Sequence, residues 1–123
     1  MKLYHGTNKV FSVIDLMASK PNKDFGRGFY LSPNYEQALN MARIKAEQQQ
    51  EGEPIVMEFE VSEADMDTLR VLRFDEYSED WAKFILANRN NPTGLSVHDY
   101  DIVIGPIAND RVGVQLWRYE SQL

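Results

Sequence analysis

The sequence predicts a mixed α+β domain, and three observations support that class. About six short apolar runs have the length and alternation of β-strands, and two longer segments repeat apolar residues every three or four positions, as helices do. The helices fall mainly after the second strand and before the fifth, which argues against a doubly wound parallel sheet. The chain has 123 residues, enough to bury one hydrophobic core. We therefore predict a single domain over residues 1–123.

The first half of the chain predicts a strand, a glycine loop, a second strand and a long helix. Residues 3–7 form the first predicted strand, and residues 29–31 form the second, directly after the loop Gly26-Arg27-Gly28. Glycines here allow a close backbone approach or a positive φ. Ser32 is expected to cap the helix with Pro33 at its first position. The helix is expected to end near residue 50, and its predicted apolar face comprises Tyr35, Leu39, Ala42 and Ala46.

The second half predicts more strands around one helix. Residues 54–61 alternate apolar and polar side chains, and the apolar run 69–74 could pair with them. Ser78 is expected to cap a helix that ends before residue 90. In the predicted strand 100–105, alternation puts Tyr100 with Ile102 and Ile104, while Asp101 shares the other face with Val103. A last strand is predicted over residues 112–119.

Composition narrows the function classes. The formal net charge of −6 argues against a broad nucleic-acid footprint, which needs clustered Lys and Arg. Without cysteine the chain has no disulfide, no thiolate zinc site and no thiol nucleophile, which is typical of a cytoplasmic protein. No apolar run reaches membrane-spanning length, so we expect no membrane partner. His5 and His98 have no third ligand at a suggestive spacing, so we expect no metal site.

Two motifs point to a specific chemistry. Tyr4-His5-Gly6-Thr7 ends the first predicted strand, and Gly26-Arg27-Gly28-Phe29-Tyr30 leads into the second. Together they resemble the motifs of the ADP-ribosyltransferase superfamily, which includes the poly(ADP-ribose) polymerases and diphtheria-toxin-like enzymes. Asn88-Arg89 and the run from Asp99 to Asp110 extend this resemblance, and most closely match small bacterial members that look like toxins of toxin–antitoxin modules. The resemblance implies a split, mixed β-sheet core with flanking helices.

The resemblance also implies roles for individual residues, with NAD as the substrate. His5 would hydrogen-bond the adenosine ribose, Gly6 would hold the nicotinamide carboxamide through its backbone, and Tyr30 would stack on the nicotinamide ring. Met41 stands where many relatives place a second aromatic against that ring, and a thioether fills the same wall less specifically. Neighbouring positions of the two motifs complete the expected NAD-binding set: Thr7, Arg27, Gly28 and Phe29.

The third catalytic element has several candidates. The superfamily usually brings a glutamate on a late strand to the ribose, and here Asp101, Gln115 or Glu120 could take that place. Asp101 could equally be a structural hydrogen-bond partner. The expected activity is transfer of ADP-ribose to a protein or nucleic-acid acceptor, with a cognate antitoxin as a further partner. The alternatives are an NAD glycohydrolase, in which water is the acceptor, and a catalytically silent member that binds NAD or a partner.

Overall fold

A computed structural model describes residues 1–11, 23–93 and 95–107. Within these ranges the chain forms five strands, three helices and two small sheets, which confirms the α+β class. In chain order the elements are β1 (Lys2–Thr7), β2 (Phe29–Leu31), α1 (Tyr35–Gln49), β3 (Ile55–Glu60), α2 (Glu63–Asp67), β4 (Val71–Arg73), α3 (Glu79–Arg89) and β5 (Ile102–Ile104).

Strands β1 and β3 form an antiparallel two-stranded sheet in which His5 lies opposite Met57. Helix α1 packs across β1 at Gly6. A Cβ at this position would collide with the Ala38 carbonyl oxygen and would lie 2.8 Å from the Ala42 backbone nitrogen. Only glycine therefore allows the strand to approach the helix backbone this closely.

The other three strands form a parallel sheet in the order β2-β5-β4, with Phe29 and Val71 both opposite Ile102. A single bridge between Tyr4 and Ser32 links this sheet to β1. Its two backbone hydrogen bonds, from each amide to the other residue's carbonyl, both measure 2.8 Å. The two sheets thus meet near the end of β2.

Strand β2 forms a wall common to two hydrophobic cores. The first core packs Tyr30 with residues from the glycine loop, α3 and β5: Phe25, Trp81, Ala82, Ile85, Val103 and Ile107. The second core packs Phe29 and Leu31 with Leu3 and Ile104. Successive side chains of a strand point to opposite faces, so three residues of β2 serve both cores.

The start of the long helix differs from the prediction. Asn34 is the N-cap, and its side chain accepts a hydrogen bond from the Gln37 amide, so Ser32 is not the cap. Ser32 is still extended because its backbone pairs with Tyr4. The predicted helix face is also partly wrong, since Tyr35 is 49% exposed and the buried positions are Ala38 and Ala42. The small side chains face β1 because Gly6 lies against that part of the helix.

The predicted strand pairing is wrong in one place. Strands β3 and β4 do not pair with each other, since β3 pairs with β1 and β4 pairs with β5. The chain between them forms α2, a helix that the sequence analysis missed. Its signal was a capping box, in which Ser62 and Asp65 exchange side-chain and backbone hydrogen bonds.

The predicted strand over residues 100–105 is shorter in the structure. Regular pairing covers Ile102–Ile104 only, so the alternation does not extend back to Tyr100. Tyr100 packs against the first core with Val103, whereas Ile102 and Ile104 pack in the second, and its predicted face is wrong. The helix capped by Ser78 is confirmed as α3. The predicted strand 112–119 lies outside the described residues.

None of the helices among the described residues is both long enough and apolar enough to cross a bilayer.

Candidate functional site

His5 connects the two sheets through its side chain. Its Nδ1 lies 2.7 Å from the Tyr30 carbonyl oxygen, and its ring stacks on Phe29 with a centroid distance of 4.2 Å and an interplanar angle of 17°. Only 7% of the residue is exposed. The first motif residue is therefore fixed directly onto the strand that carries the second.

The hydrogen bond sets the tautomer of His5. A carbonyl only accepts, so Nδ1 carries the proton and Nε2 is left with a lone pair. Burial and the positive charge of Lys45 lower the pKa of His5 to about 4, against the opposing effect of the Tyr30 carbonyl. The imidazole is thus neutral at pH 7. No described residue hydrogen-bonds Nε2, which can accept a hydrogen bond from a hydroxyl group.

Tyr30 is 5% exposed, and Phe25 stacks on its ring at a centroid distance of 4.4 Å and an angle of 14°. The Tyr30 hydroxyl is buried, and among the described residues no group has hydrogen-bond geometry to it. Burial raises the pKa of Tyr30, and the nearby Ser32 side chain offsets part of that effect. A flat ligand would have to use the ring face opposite Phe25 or displace Phe25.

The glycine loop is held by α3 and by the segment before β5. Arg89 binds the Asp24 carboxylate through two nitrogens, at 2.5 and 3.0 Å, and the Asn88 side-chain amide donates to the Asp24 carbonyl at 3.2 Å. Gly26 has a φ of +58°, and a Cβ there would lie 2.6 Å from Asn88 Oδ1. Asn88-Arg89 and the glycine loop are thus one structural unit, although they are far apart in the sequence.

His98 forms the third attachment of this loop. Its Nε2 lies 2.9 Å from the Phe25 carbonyl, and its Nδ1 accepts from the Tyr100 amide at 3.1 Å. Both contacts are satisfied together only by the neutral ring with the proton on Nε2. His98 packs against Gly28 as well, where a Cβ would lie 3.2 Å from its Cε1. His98 therefore supports the loop and does not face His5 as a second metal ligand.

Gly6 lies beside a cationic side chain, that of Lys45. Lys45 Nζ donates to the Gly6 carbonyl at 2.9 Å, and burial lowers the pKa of Lys45 to about 8. Thr7 is buried and pairs with Lys9 through its hydroxyl, which accepts the Lys9 amide at 3.3 Å. The end of β1 thus presents a backbone carbonyl and an ammonium next to His5.

The remaining predicted NAD-binding residues surround the same region. Gly28 and Phe29 are buried beside His98 and His5 respectively. Met41 packs against the first core, which contains Tyr30. Arg27 lies between the two glycines of the loop and is partly exposed.

The three candidates for the late acidic element have different outcomes. Asp101 Oδ2 accepts the Arg70 amide at 2.9 Å and lies 3.8 Å from the Arg70 guanidinium. The Asp101 carbonyl accepts the Phe29 amide at 2.8 Å. The structure thus gives Asp101 a role in joining β4 to β5. Gln115 and Glu120 lie outside the described residues.

Among residues 1–11, 23–93 and 95–107, no three His, Asp or Glu side chains gather where they could hold a metal ion.

Sequence reasoning missed two residues of this region. Phe25 directly precedes the Gly-x-Gly loop, and its aromatic ring was a signal for the stack on Tyr30. Lys45 falls three residues after Ala42, on the side of α1 that faces β1. A lysine at a core-facing helix position is unusual and could have marked it.

Comparison with known proteins gives one match. A family model described as "Protein of unknown function (DUF3990)" matches residues 1–123. No curated protein and no solved structure matches the chain.

Proposed function

Since the chain belongs to the DUF3990 family, whose description gives no function, we propose from its motifs and its site that it is an NAD-dependent ADP-ribosyltransferase. The observation that carries the proposal is the 2.7 Å contact between His5 Nδ1 and the Tyr30 carbonyl. It joins the two motif residues across the line where the two sheets separate. Such a contact would be expected if both residues line one ligand cleft.

The finer fold assignment belongs to the same proposal. Within the described ranges, the backbone of β1 pairs with the end of β2 only at the Tyr4–Ser32 bridge, and the next residue, His5, adds a side-chain contact to the Tyr30 carbonyl. A split between sheets at this point supports the split, mixed sheet of the ADP-ribosyltransferase superfamily. A dinucleotide would then lie along the split, with its nicotinamide near Tyr30 and its adenosine ribose at His5 Nε2.

The proposed reaction breaks the bond between nicotinamide N1 and ribose C1′. The bonding electron pair leaves with the neutral nicotinamide, and positive charge develops on the ribose, as in glycoside cleavage. An acceptor nucleophile then bonds to C1′ and loses its proton. His5 stays neutral, so its Nε2 can accept a hydrogen bond from a hydroxyl of the adenosine ribose, away from the reacting carbon. Its role is to accept a hydroxyl hydrogen bond and to orient the sugar.

A second candidate is a catalytically silent protein that binds NAD. The Asp101 carboxylate is engaged with Arg70, which supports a form without a free acid for catalysis. In that case NAD binds, and neither nicotinamide nor an ADP-ribosylated product forms. An NAD glycohydrolase would differ from both the transferase and the silent form, because free ADP-ribose would appear without any macromolecular acceptor.

One experiment separates these functions. The purified chain is incubated with NAD and bacterial lysate, nicotinamide is measured by chromatography, and products are identified by mass spectrometry. We expect nicotinamide release and a covalent ADP-ribose adduct on a protein or nucleic acid. Calorimetric NAD binding with no nicotinamide would leave only the silent form, and no binding at millimolar NAD would refute the proposal.

Two substitutions at these buried positions test the named residues. His5→Asn keeps an N–H donor for the Tyr30 carbonyl and removes the Nε2 acceptor, so NAD binding should weaken by about tenfold or more, the loss of a good hydrogen bond. Tyr30→Leu removes the aromatic ring and should weaken binding in the same way. Tyr35→Leu is the matched control, because Tyr35 is an exposed tyrosine at the start of α1.

The proposed cellular setting follows from the resemblance alone. It comprises a cytoplasmic toxin, a protein or nucleic-acid acceptor and a cognate antitoxin. The expected outcome is growth arrest on expression in bacteria, which His5→Asn should relieve. Growth that is equally slow with the variant would separate any toxicity from the His5 site.

A further inference from the structure

Lys45 carries an ammonium group at a position on α1 where packing against β1 would not require a charge. Its Nζ donates one hydrogen bond, to the Gly6 carbonyl at 2.9 Å. An ammonium has three N–H donors, and two of them make no hydrogen bond to the part of the chain that the structure describes. No carboxylate of a described residue lies within ion-pair distance of Nζ, whereas other lysines such as Lys9 and Lys83 are paired with glutamates. Lys45 is thus a partly buried cation without an acidic partner among the described residues.

The surroundings make this cation unfavourable in the free protein. Burial lowers the pKa of Lys45 to about 8, so the group is still mostly charged at pH 7 and its charge is poorly solvated. A methionine or glutamine of similar length would fill the same space without that penalty. An anionic ligand would compensate the charge.

His5 and Lys45 complement each other. The charge of Lys45 contributes to keeping His5 neutral. His5 can then accept a hydrogen bond from a hydroxyl, while Lys45 can bind an anion. A hydroxyl next to a phosphate is the arrangement of a ribose phosphate. His5 lies on β1 and points to the face opposite α1, whereas Lys45 reaches from α1 to the carbonyl of Gly6, the residue next to His5.

We propose that Lys45 Nζ binds a phosphate of the dinucleotide at the end of β1, beside the ribose held by His5 Nε2. This rests on the proposed NAD function for the identity of the ligand, and it assigns Lys45 as a binding residue for its phosphates.

The test measures ligand affinity by calorimetry for the wild-type chain and for Lys45→Met, which keeps the apolar stem and removes the charge. ADP-ribose and inorganic pyrophosphate carry phosphates, and nicotinamide carries none. The substitution should weaken ADP-ribose and pyrophosphate binding by about tenfold or more and leave nicotinamide binding within about twofold. Lys83→Met, at an exposed lysine paired with Glu79, is the matched control and should change neither.

A second measurement uses only the wild-type chain and so does not depend on the folding of a variant. The phosphates of ADP-ribose stay fully ionised between pH 7 and pH 9.5, whereas Lys45 loses its proton as the pH rises through about 8. ADP-ribose affinity should therefore fall over this range, and Lys45→Arg should shift or remove that fall because arginine stays charged.

The outcomes separate this inference from the proposed function. Unchanged ADP-ribose affinity in Lys45→Met, or wild-type affinity that is flat from pH 7 to pH 9.5, would overturn the role of Lys45 even if NAD is turned over. If the wild-type chain binds neither ADP-ribose nor pyrophosphate at millimolar concentration, the phosphate site is also refuted. Binding that depends on Lys45 without nicotinamide release would support the phosphate site and count against the transferase activity.

Discussion

Acidification should destabilise this protein through His5. The ring is buried and neutral, with a pKa of about 4 in the folded chain against an ordinary value of 6.5. Between these two values the unfolded chain binds a proton at His5 and the folded chain does not, so protons favour unfolding. The contribution of neutral His5 to the free energy of unfolding is fully present above pH 6.5 and is lost as the pH falls toward 4.

The size of this effect follows from the two pKa values. Each tenfold difference in proton affinity is worth ~1.4 kcal/mol, so the lowered pKa of His5 corresponds to ~3 kcal/mol of unfolding free energy at pH 4. Such a loss is a large share of the ~5–15 kcal/mol that stabilises a typical domain.

Urea unfolding at pH 7, 6, 5 and 4, followed by circular dichroism, measures the effect. Carboxylates also titrate in this range, so the comparison is with His5→Asn, which keeps a donor to the Tyr30 carbonyl and has no titrating group. The wild-type chain should lose about 3 kcal/mol more than the variant between pH 7 and pH 4. Parallel stability curves for the two proteins would refute the buried, neutral state of His5.

Three further substitutions test the packing around the site. Tyr30→Phe removes a buried hydroxyl that has no hydrogen-bond partner among the described residues, so thermal unfolding should show a gain of about 1 kcal/mol in the free energy of unfolding. A lower free energy of unfolding would mean that the hydroxyl forms a hydrogen bond in solution. Gly6→Ala should lower the free energy of unfolding by ~3 kcal/mol or more, because the added Cβ would meet the helix backbone. Gly105→Ala is the control and should cost far less, since its Cβ would lie 3.2 Å from its nearest neighbour. Equal losses would contradict the close strand–helix contact. Arg89→Lys replaces a two-nitrogen contact with Asp24 by one and should lower stability by ~1 kcal/mol in urea unfolding; no change would mean that the pair does not hold the glycine loop.

The sequence predicted the elements better than their assembly. A short apolar run after the glycine loop located β2, and a capping serine located the helix after Ser78, because both signals are local. The pairing of β3 with β1 could not be read from the chain, since nearest-neighbour pairing of residues 54–61 and 69–74 fits the same apolar pattern.

In the candidate site, too, the sequence predicted individual residues better than the contacts between them. His5 and Tyr30 were found from short motifs, but the contact between His5 Nδ1 and the Tyr30 carbonyl depends on where two sheets meet. Phe25 was visible only as the residue before a glycine loop, and its stack on Tyr30 needs the attachment of that loop by Arg89. Asp101 stood at a plausible spacing for a late acid, yet its carboxylate accepts the amide of Arg70, directly before β4.

The parallel pairing of β2 with β5 has a consequence for synthesis on the ribosome. Phe29 pairs with Ile102, while β1 pairs with β3 between positions 2–7 and 55–60. The β1-α1-β3 unit can therefore assemble while the C-terminal part of the chain is still being translated, but the partner of β2 among the described strands is β5, which emerges later. At ~5–20 residues per second, three adjacent apolar side chains that serve both cores stay unpaired for seconds. Slow codons between positions 60 and 102 would lengthen that interval and should increase aggregation of the nascent chain.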